Sequence, residues 1–132
     1  MMYLLDTNIC VYFIGNKHPK VTRHFYDCEP EQLFISSLVA AELAYGVENS
    51  ARVAANRINL EDFLKLVQVL PWNEKAMWHY ARQKTRLWKA GAKISELDLL
   101  LGSQALALDA TFVTNNMKEF KRLQGLRLEN WV

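Results

Sequence analysis

Four carboxylates stand where a folded chain could use them chemically: Asp6, Glu42, Asp98 and Glu119. Asp6 ends the apolar run of residues 1–5, which is typical of a strand buried on both faces in a parallel sheet. Ligand sites in such sheets lie beyond the carboxyl ends of the strands, where a carboxylate can reach a metal or a substrate. A structural role is equally compatible, because Asp6 and Asn8 can bond nearby backbone N–H groups in an Asx turn.

Glu42 falls on a helix face that otherwise carries apolar residues. The pattern predicts a helix over residues 38–47, opened by Ser36 or Ser37, in which Glu42 shares an arc with Leu43 and Tyr45. Burying an unpaired carboxylate costs on the order of several kcal/mol or raises its pKa. Glu42 therefore needs a cation, a hydrogen-bond network or a cleft, unless it reaches solvent or an arginine at the helix edge.

Asp98 has both a structural and a functional interpretation. Residues 95–98 have the form of a capping box, with Ser95 as N-cap, and predict a helix over residues 96–108. Leu101, Gly102 and Ala105 lie on the same arc as Asp98, which favours packing of that face on the sheet. The sequence therefore predicts that Asp98 points inward from the first turn of this helix.

A second cluster of polar residues follows the last convincing strand, predicted at residues 111–113. Thr114, Asn115 and Asn116 end this strand as Asp6 ends the first, and a helix over residues 117–123 follows. Glu119 lies in the first turn of that helix, where it also favours the helix dipole. Two strand ends thus carry polar side chains that a common sheet edge could bring together.

The remaining pattern supplies the elements that must position these side chains. Strands are predicted at residues 32–35 and 67–70, and the alternation of residues 125–132 is compatible with an edge strand. Helices are predicted at residues 9–14, 21–26, 50–66 and 74–90. Basic residues cluster on and after the helix at 74–90, as a solvated face or as a phosphate-contacting surface: Arg82, Lys84, Arg86, Lys89 and Lys93.

Length and composition narrow the class of protein. A chain of 132 residues predicts a single domain over residues 1–132, long enough to bury a core without disulfides or structural metal ions. The net charge is only +2, so a nucleic-acid partner would have to meet a local basic patch. Cys10 and Cys28 lack the spacing of a zinc site, and no signal peptide or membrane span is evident. We expect a cytoplasmic protein with reduced thiols.

The order of these motifs resembles that of the PIN-domain ribonucleases, and most closely the VapC toxins of bacterial toxin–antitoxin pairs. The resemblance spans nearly the whole chain, and the order and spacing of its short motifs make it specific. It is carried by Leu5-Asp6-Thr7-Asn8, Ile35-Ser36-Ser37, Ala41-Glu42-Leu43, Tyr45-Gly46, Asp98, Val113-Thr114-Asn115-Asn116 and Glu119-Phe120.

This resemblance implies an α/β fold, a PIN-like three-layer α/β/α sandwich with a central, mainly parallel sheet. It also implies acids that bind Mg²⁺ or Mn²⁺ and an endonucleolytic activity on RNA. Asp6, Glu42 and Asp98 match the first three acids of the family, and Thr7 matches the hydroxyl residue beside the site. We expect Asp6 and Asp98 to bind the ion directly, since hard cations prefer oxygen ligands, and Glu42 to hold its waters or a second ion.

The fourth acidic position departs from the pattern of the family. Many members have Asp two residues after the strand-end Thr114, where this chain has Asn116. Glu119, one helical turn later, resembles the replacement acid of the enteric-type VapC toxins. Thr114, Asn116 and Asn8 are therefore expected to support the site, while Glu119 supplies the fourth carboxylate.

The resemblance further implies partners. It points to a structured RNA, notably initiator tRNA cut in its anticodon loop, to a VapB-like antitoxin, to a homodimer and to a toxin–antitoxin hetero-oligomer. Trp72, Trp78 and Trp88 are candidate contact residues, although tryptophan more often packs in a core. Alternative hypotheses are a non-catalytic PIN-like module that binds RNA or protein, a metal-dependent DNA nuclease and a phosphatase.

Overall fold

The computed structural model describes residues 1–132, and its centre is a five-stranded sheet. The strands are β1 (Tyr3–Leu5), β2 (Leu33–Ser36), β3 (Gln68–Leu70), β4 (Thr111–Val113) and β5 (Arg127–Glu129). They lie in the order β3-β2-β1-β4-β5, and every neighbouring pair is parallel. The predicted three-layer α/β/α architecture is confirmed, and the sheet is wholly parallel.

Helices form the crossovers that parallel strands require. They are α1 (Thr7–Gly15), α2 (Pro19–Asp27), α3 (Ser37–Glu48), α4 (Val53–Leu64), α5 (Met77–Lys89), α6 (Glu96–Leu108) and α7 (Met117–Phe120). Ser36 and Ser95 cap α3 and α6 with their side chains, as the sequence predicts. The longest of these helices have 13 residues, and none has the length and apolarity needed to cross a membrane.

The core sits around the central strands because helices cover both faces of the sheet. Leu4, Ile35 and Phe112, on three adjacent strands, are completely buried. This explains why β1, β2 and β4 read as continuous apolar runs rather than alternating ones. Cys10 is buried and Cys28 is half-buried, and neither forms a disulfide.

The register of β1 and β4 brings their carboxyl ends together. Leu5 lies opposite Val113, and the Asp6 N–H donates to the Val113 carbonyl at 2.9 Å, which continues the pairing by one residue. On the other side of β4, the Thr114 N–H donates to the Glu129 carbonyl at 3.0 Å. The polar residues that follow β1 and β4 therefore meet at one edge of the sheet.

Some predicted boundaries and exposures are wrong for identifiable reasons. The helix predicted at 50–66 spans only Val53–Leu64, and Ser50 instead belongs to the turn that ends α3, where its N–H and its hydroxyl both donate to the Val47 carbonyl, at 3.0 and 2.6 Å. The helix predicted at 117–123 ends at Phe120, although Phe120 and Leu123 are buried as expected. Tyr45 was assigned to the apolar arc of α3 but is 70% exposed. The buried residues of that helix are Val39 and Leu43.

Two of the three tryptophans considered as contact residues have contacts within the fold. The Trp72 indole donates to the Leu100 carbonyl at 2.8 Å. Trp88 lies under the ammonium groups of Lys84 and Lys93, at 5.2 and 5.9 Å from its ring centroid. Trp78 is the exposed one, with 63% of its surface accessible.

Gly102 permits the close approach of α6 to the segment after α7. A Cβ at this position would lie 2.1 Å from Cδ1 of the buried Leu123, with a Leu126 methyl group at 3.6 Å. The absence of a side chain therefore sets how near Asp98, one turn earlier on α6, can come to the α7 segment.

We expect Gly102→Ala to lower the free energy of unfolding by about 1 kcal/mol. Overpacking a core costs about 1–3 kcal/mol, which outweighs the gain of about 1 kcal/mol from replacing glycine within a helix. Urea denaturation followed by circular dichroism measures the difference.

Gly46→Ala on α3 is the matched control, because a Cβ there meets nothing within 4 Å. That variant should be stabilised by up to about 1 kcal/mol. In a Leu123→Ala background the cost of Gly102→Ala should disappear, as expected for two side chains in direct contact. A Gly102→Ala protein as stable as Gly46→Ala would show that Leu123 moves aside freely.

Candidate active site

Asp6 combines the two roles that its sequence position allows. It is the N-cap of α1, and its Oδ1 accepts a hydrogen bond from the Thr7 N–H at 2.8 Å. Its Oδ2 accepts a hydrogen bond from the Thr114 hydroxyl, on the neighbouring strand end, at 2.7 Å. Burial raises the pKa of Asp6 above its ordinary value, and these two hydrogen bonds oppose that shift.

A chain of hydrogen bonds leads from Asp6 to the fourth acid. The Thr114 hydroxyl that donates to Asp6 accepts from the Asn116 N–H at 3.0 Å, and the Asn116 side-chain amide donates to Glu119 Oε2 at 2.7 Å. The other oxygen of Glu119 accepts from the Ser95 N–H at 3.1 Å. The Asn116 amide therefore orients the Glu119 carboxylate, so the two candidates for the fourth position are bonded to each other.

Asp98 enters the same network from the first turn of α6. Its N–H donates to the Ser95 hydroxyl at 3.2 Å, which is the capping bond that the sequence predicts. Its carboxyl group lies against that of Glu119, so that the pair favours a shared proton. Burial, followed by the contact with Glu119, raises the pKa of Asp98 to about 7, and the charge of Asp6 adds to the shift.

Glu119 is the member of this pair that stays ionised. Burial alone would raise the pKa of Glu119, but hydrogen bonds from Asn116 and Ser95 hold it below its ordinary value. The positive charge of Arg122 contributes in the same direction. The pKa values of Asp98 and Glu119 are thus displaced in opposite directions, that of Asp98 upward by burial and by Glu119, and that of Glu119 downward by its hydrogen-bond donors.

Glu42 approaches the network from α3 without joining its hydrogen bonds. It is half-buried, and burial together with the charge of Asp6 raises its pKa. Glu42 and Thr7 lie at one end of a groove of about 320 Å³ between α1, α3 and α4. Of the environments that the sequence left open for Glu42, the structure provides a cleft, close enough to Asp6 for its charge to act on Glu42.

Two supporting residues differ in their surroundings. The Thr7 hydroxyl oxygen is buried and has no hydrogen-bond partner in the protein, which is unusual for a polar atom in a core. Asn8 is exposed on α1, and its side chain makes no hydrogen bond to the network. Thr7 therefore offers an unused polar atom beside Asp6, whereas Asn8 remains outside.

The donor set fits a hydrated divalent cation. No three of the acidic side chains converge into a preformed ligand group. Mg²⁺ does not require one, because it keeps several waters and uses one or two carboxylates. Burial raises the pKa of Asp6, Glu42 and Asp98, which a bound cation would counter, and the unpartnered Thr7 hydroxyl is a further polar group beside Asp6 for a ligand water.

Sequence reasoning missed a cluster that holds α6 against α5. The Lys84 ammonium donates to Glu96 Oε1 at 2.7 Å and to the Tyr80 hydroxyl at 3.0 Å, while Tyr80 donates to Glu96 Oε2 at 2.6 Å. Glu96 precedes Asp98 by two residues, so this cluster fixes the start of α6. The i, i+4 spacing of Tyr80 and Lys84 was a local signal, but their partner on α6 depends on the tertiary fold.

Comparison with known proteins agrees with this geometry. The PIN domain family model matches residues 3–126. Ribonuclease VapC2 of Rickettsia felis is 44% identical over 133 residues, which cover 99% of this chain and 98% of that protein. The tRNA(fMet)-specific endonuclease VapC of Salmonella typhimurium is 31% identical over 99% of this chain and 98% of that protein.

Solved structures show the same fold. VapBC2 from Rickettsia felis, bound to a DNA fragment from its promoter, contains a chain with a TM-score of 0.93 and 39% identity, with full coverage of both chains. DNA-bound VapBC from Salmonella typhimurium also gives a TM-score of 0.93, at 30% identity over 100% of this chain and 99% of that one. The chain therefore belongs to the PIN-domain family and, within it, to the VapC ribonucleases.

Proposed function

We propose that this protein is a Mg²⁺- or Mn²⁺-dependent endoribonuclease toxin that cleaves a structured RNA. The observation that carries the proposal is the hydrogen-bonded network that joins Asp6, Asp98 and Glu119 at the carboxyl edge of the sheet. Neighbouring half-buried carboxylates, of which Asp6 and Asp98 have pKa values raised chiefly by burial, are tolerated best when a cation completes the site.

The proposed roles follow from the partners of each side chain. Asp6 and Asp98 hold the ion, and Thr7, Glu42 and Glu119 hold and orient the waters around it. Thr114 and Asn116 position Asp6 and Glu119 through the bonds at 2.7 Å that each donates. When bound, the ion supplies the positive charge that polarises the phosphodiester and stabilises the charge of the transition state.

We propose initiator tRNA as the substrate, cut in its anticodon loop. Support comes from relatives named as tRNA(fMet)-specific endonucleases at 31% and 33% identity over nearly the full chain. An anticodon loop also presents unstacked bases and a flexible backbone, which a surface site can reach more easily than a duplex.

We further propose a VapB-like antitoxin as partner, in a hetero-oligomer built on a toxin homodimer. The similar solved structures are VapBC complexes. The groove between α1, α3 and α4 has apolar walls that include Val11, Ile14 and Leu43, and it ends at Glu42 and Thr7. An apolar antitoxin segment in this groove, with a basic residue at its end, would neutralise the acids.

Asp6→Asn and Asp98→Asn are each expected to abolish RNA cleavage while the fold stays intact. Each change removes a proposed metal ligand and relieves repulsion between carboxylates. Cleavage of initiator tRNA with Mg²⁺, with sequencing of the new 5′ ends, measures activity, and thermal melting measures the fold. A variant that cleaves at the wild-type rate would show that the ligand is misassigned.

The pH dependence of stability provides the control for the charge argument. Because the pKa of Asp98 is raised to about 7, the folded state binds a proton that the unfolded chain releases near its ordinary pKa. Ionisation of Asp98 therefore lowers the free energy of unfolding of the metal-free protein as the pH rises from about 4 to about 7. Asp98→Asn should raise the melting temperature more at pH 8 than at pH 5, and Mg²⁺ should stabilise only the wild type at pH 8.

Glu119→Gln and Asn116→Ala separate the two residues of the fourth position. Glu119→Gln should reduce cleavage about a hundredfold and raise the Mg²⁺ concentration needed for half-maximal rate, because a full charge near the ion is lost. Asn116→Ala leaves that charge in place and should cost less than about tenfold. The reverse ranking would make Asn116 the ligand and Glu119 a residue that only orients the loop at Ser95.

The antitoxin should abolish cleavage by occupying the groove at Glu42. A purified complex with a VapB-like protein is expected to cleave initiator tRNA far more slowly than the free toxin. Val11→Lys places a charge on the exposed groove wall and should weaken complex formation, whereas Val69→Lys, equally exposed on the edge strand β3, should not. A complex as active as the free protein would contradict this mode of inhibition.

A further inference from the structure

A set of basic side chains beside the network of Asp6, Asp98 and Glu119, here called the acidic network, forms no ion pair. The four ion pairs of the molecule use Arg57, Lys65, Lys84 and Arg127. None of them includes the cations that lie on α5 and around α7: Arg82, Arg86, Lys89, Lys118 and Arg122. We call these five residues, together with the exposed Trp78 on α5, the basic track.

Arg122 is held next to Glu119 by main-chain contacts. Its guanidinium donates to the Lys93 carbonyl at 3.1 Å, so it is oriented without being neutralised. A cavity of about 320 Å³ at this point is lined only by polar residues, namely Asn116, Lys118, Glu119 and Arg122. The cavity therefore places two unpaired cations beside one of the proposed active-site acids.

Arg86 connects this cavity to the outer face of α5. Its Nη2 donates to the Arg122 carbonyl and to Gln83 Oε1, the latter at 2.8 Å. Gln83 is buried and also exchanges two hydrogen bonds with the backbone of Gln124, at 3.0 and 3.2 Å. The guanidinium of Arg86 is thus fixed in place by neutral partners and keeps its charge available.

The outer face of α5 continues the same charge. A second shallow cavity, of about 410 Å³, is lined by Arg82, Arg86 and Lys89, with Trp78 at one end. From Trp78 to Lys89 this helix face extends about 16 Å, which is long enough for several nucleotides of an extended strand. Basic residues next to an exposed aromatic ring match a ligand that alternates phosphates with flat bases.

We propose that the basic track binds the single RNA strand that flanks the cleaved bond, with Lys118 and Arg122 on the phosphate nearest the acids. Arg82, Arg86 and Lys89 contact the following phosphates, and Trp78 stacks on an unpaired base. This inference rests on the proposed function, because it concerns the same RNA and the same site. An acidic protein segment lacks the bases that Trp78 would contact.

Binding in a cleavage-inactive background tests the proposal. All variants carry Asp98→Asn, and the anisotropy of fluorescein-labelled initiator tRNA gives the affinity in Mg²⁺-containing buffer at several salt concentrations. The side chains of Arg82, Lys89 and Lys118 make no hydrogen bond within the protein, so changing each residue to Gln removes a charge and no internal hydrogen bond. Each change should weaken binding and lower the slope of log affinity against log salt by about 0.7–0.9.

Trp78→Ala should behave differently from the charge variants. Loss of base stacking should weaken binding about fivefold or more with an unchanged salt slope. Arg57→Gln, which removes an exposed arginine paired with Glu61 on α4, is the charge-matched control and should leave both quantities unchanged.

The outcomes separate this inference from the proposed function. Unchanged tRNA affinity and salt slope in the Arg82, Lys89 and Lys118 variants would overturn the basic track, even if the wild type cleaves RNA. The same variants are also tested for dimerisation and antitoxin binding. A change in those two properties with unchanged tRNA binding would likewise overturn the basic track. A track that binds tRNA in a protein whose wild type does not cleave it would refute the proposed activity alone.

Discussion

The parallel pairing of β1 with β4 is the contact on which the site depends. It brings the Asp6 N–H onto the Val113 carbonyl and the Thr114 hydroxyl onto the Asp6 carboxylate, across 108 positions of sequence. Parallel strands need long crossovers, and α6 is the last helix of the crossover that returns the chain from β3 to β4, beside β1. Three acids meet at one edge of the sheet: Asp6 after β1, Asp98 at the start of α6 and Glu119 on α7, after β4. Each of these segments alone would leave its carboxylate in water.

This arrangement works against the stability of the fold. Burial raises the pKa of Asp6, Glu42 and Asp98, and the charge of Asp6 adds to the shift of the other two, so these carboxylates ionise more easily in the unfolded chain. Donors from Thr7, Thr114, Asn116 and Ser95 offset part of this cost, but burial and the contact with Glu119 still raise the pKa of Asp98 to about 7. Such uncompensated charge is typical of functional sites, where stability is lower than the fold alone would allow.

The features that could be predicted from sequence are those set by local rules. Strand ends at Asp6 and Thr114 follow from apolar runs, and the start of α6 follows from the Ser95 capping box. The bond from the Ser95 N–H to Glu119 could not be predicted, because it depends on how closely Gly102 lets α6 approach the α7 segment. Exposure of Tyr45 was missed for a related reason: helical periodicity gives the arc, but neighbouring helices decide how much of it is covered.

The acidic network and the basic track share the short segment before α6. The Lys93 carbonyl accepts from Arg122, and two residues later the Ser95 N–H donates to Glu119. A phosphate at the proposed Arg122 contact would therefore lie beside the turn whose Ser95 N–H donates to Glu119 and whose Ser95 hydroxyl caps α6. Binding at one site that changes the geometry of the other makes the two affinities interdependent, and that dependence is reciprocal. If RNA contacts the basic track as we propose, those contacts and the acids are linked through residues 93–95, which bond Arg122 and Glu119.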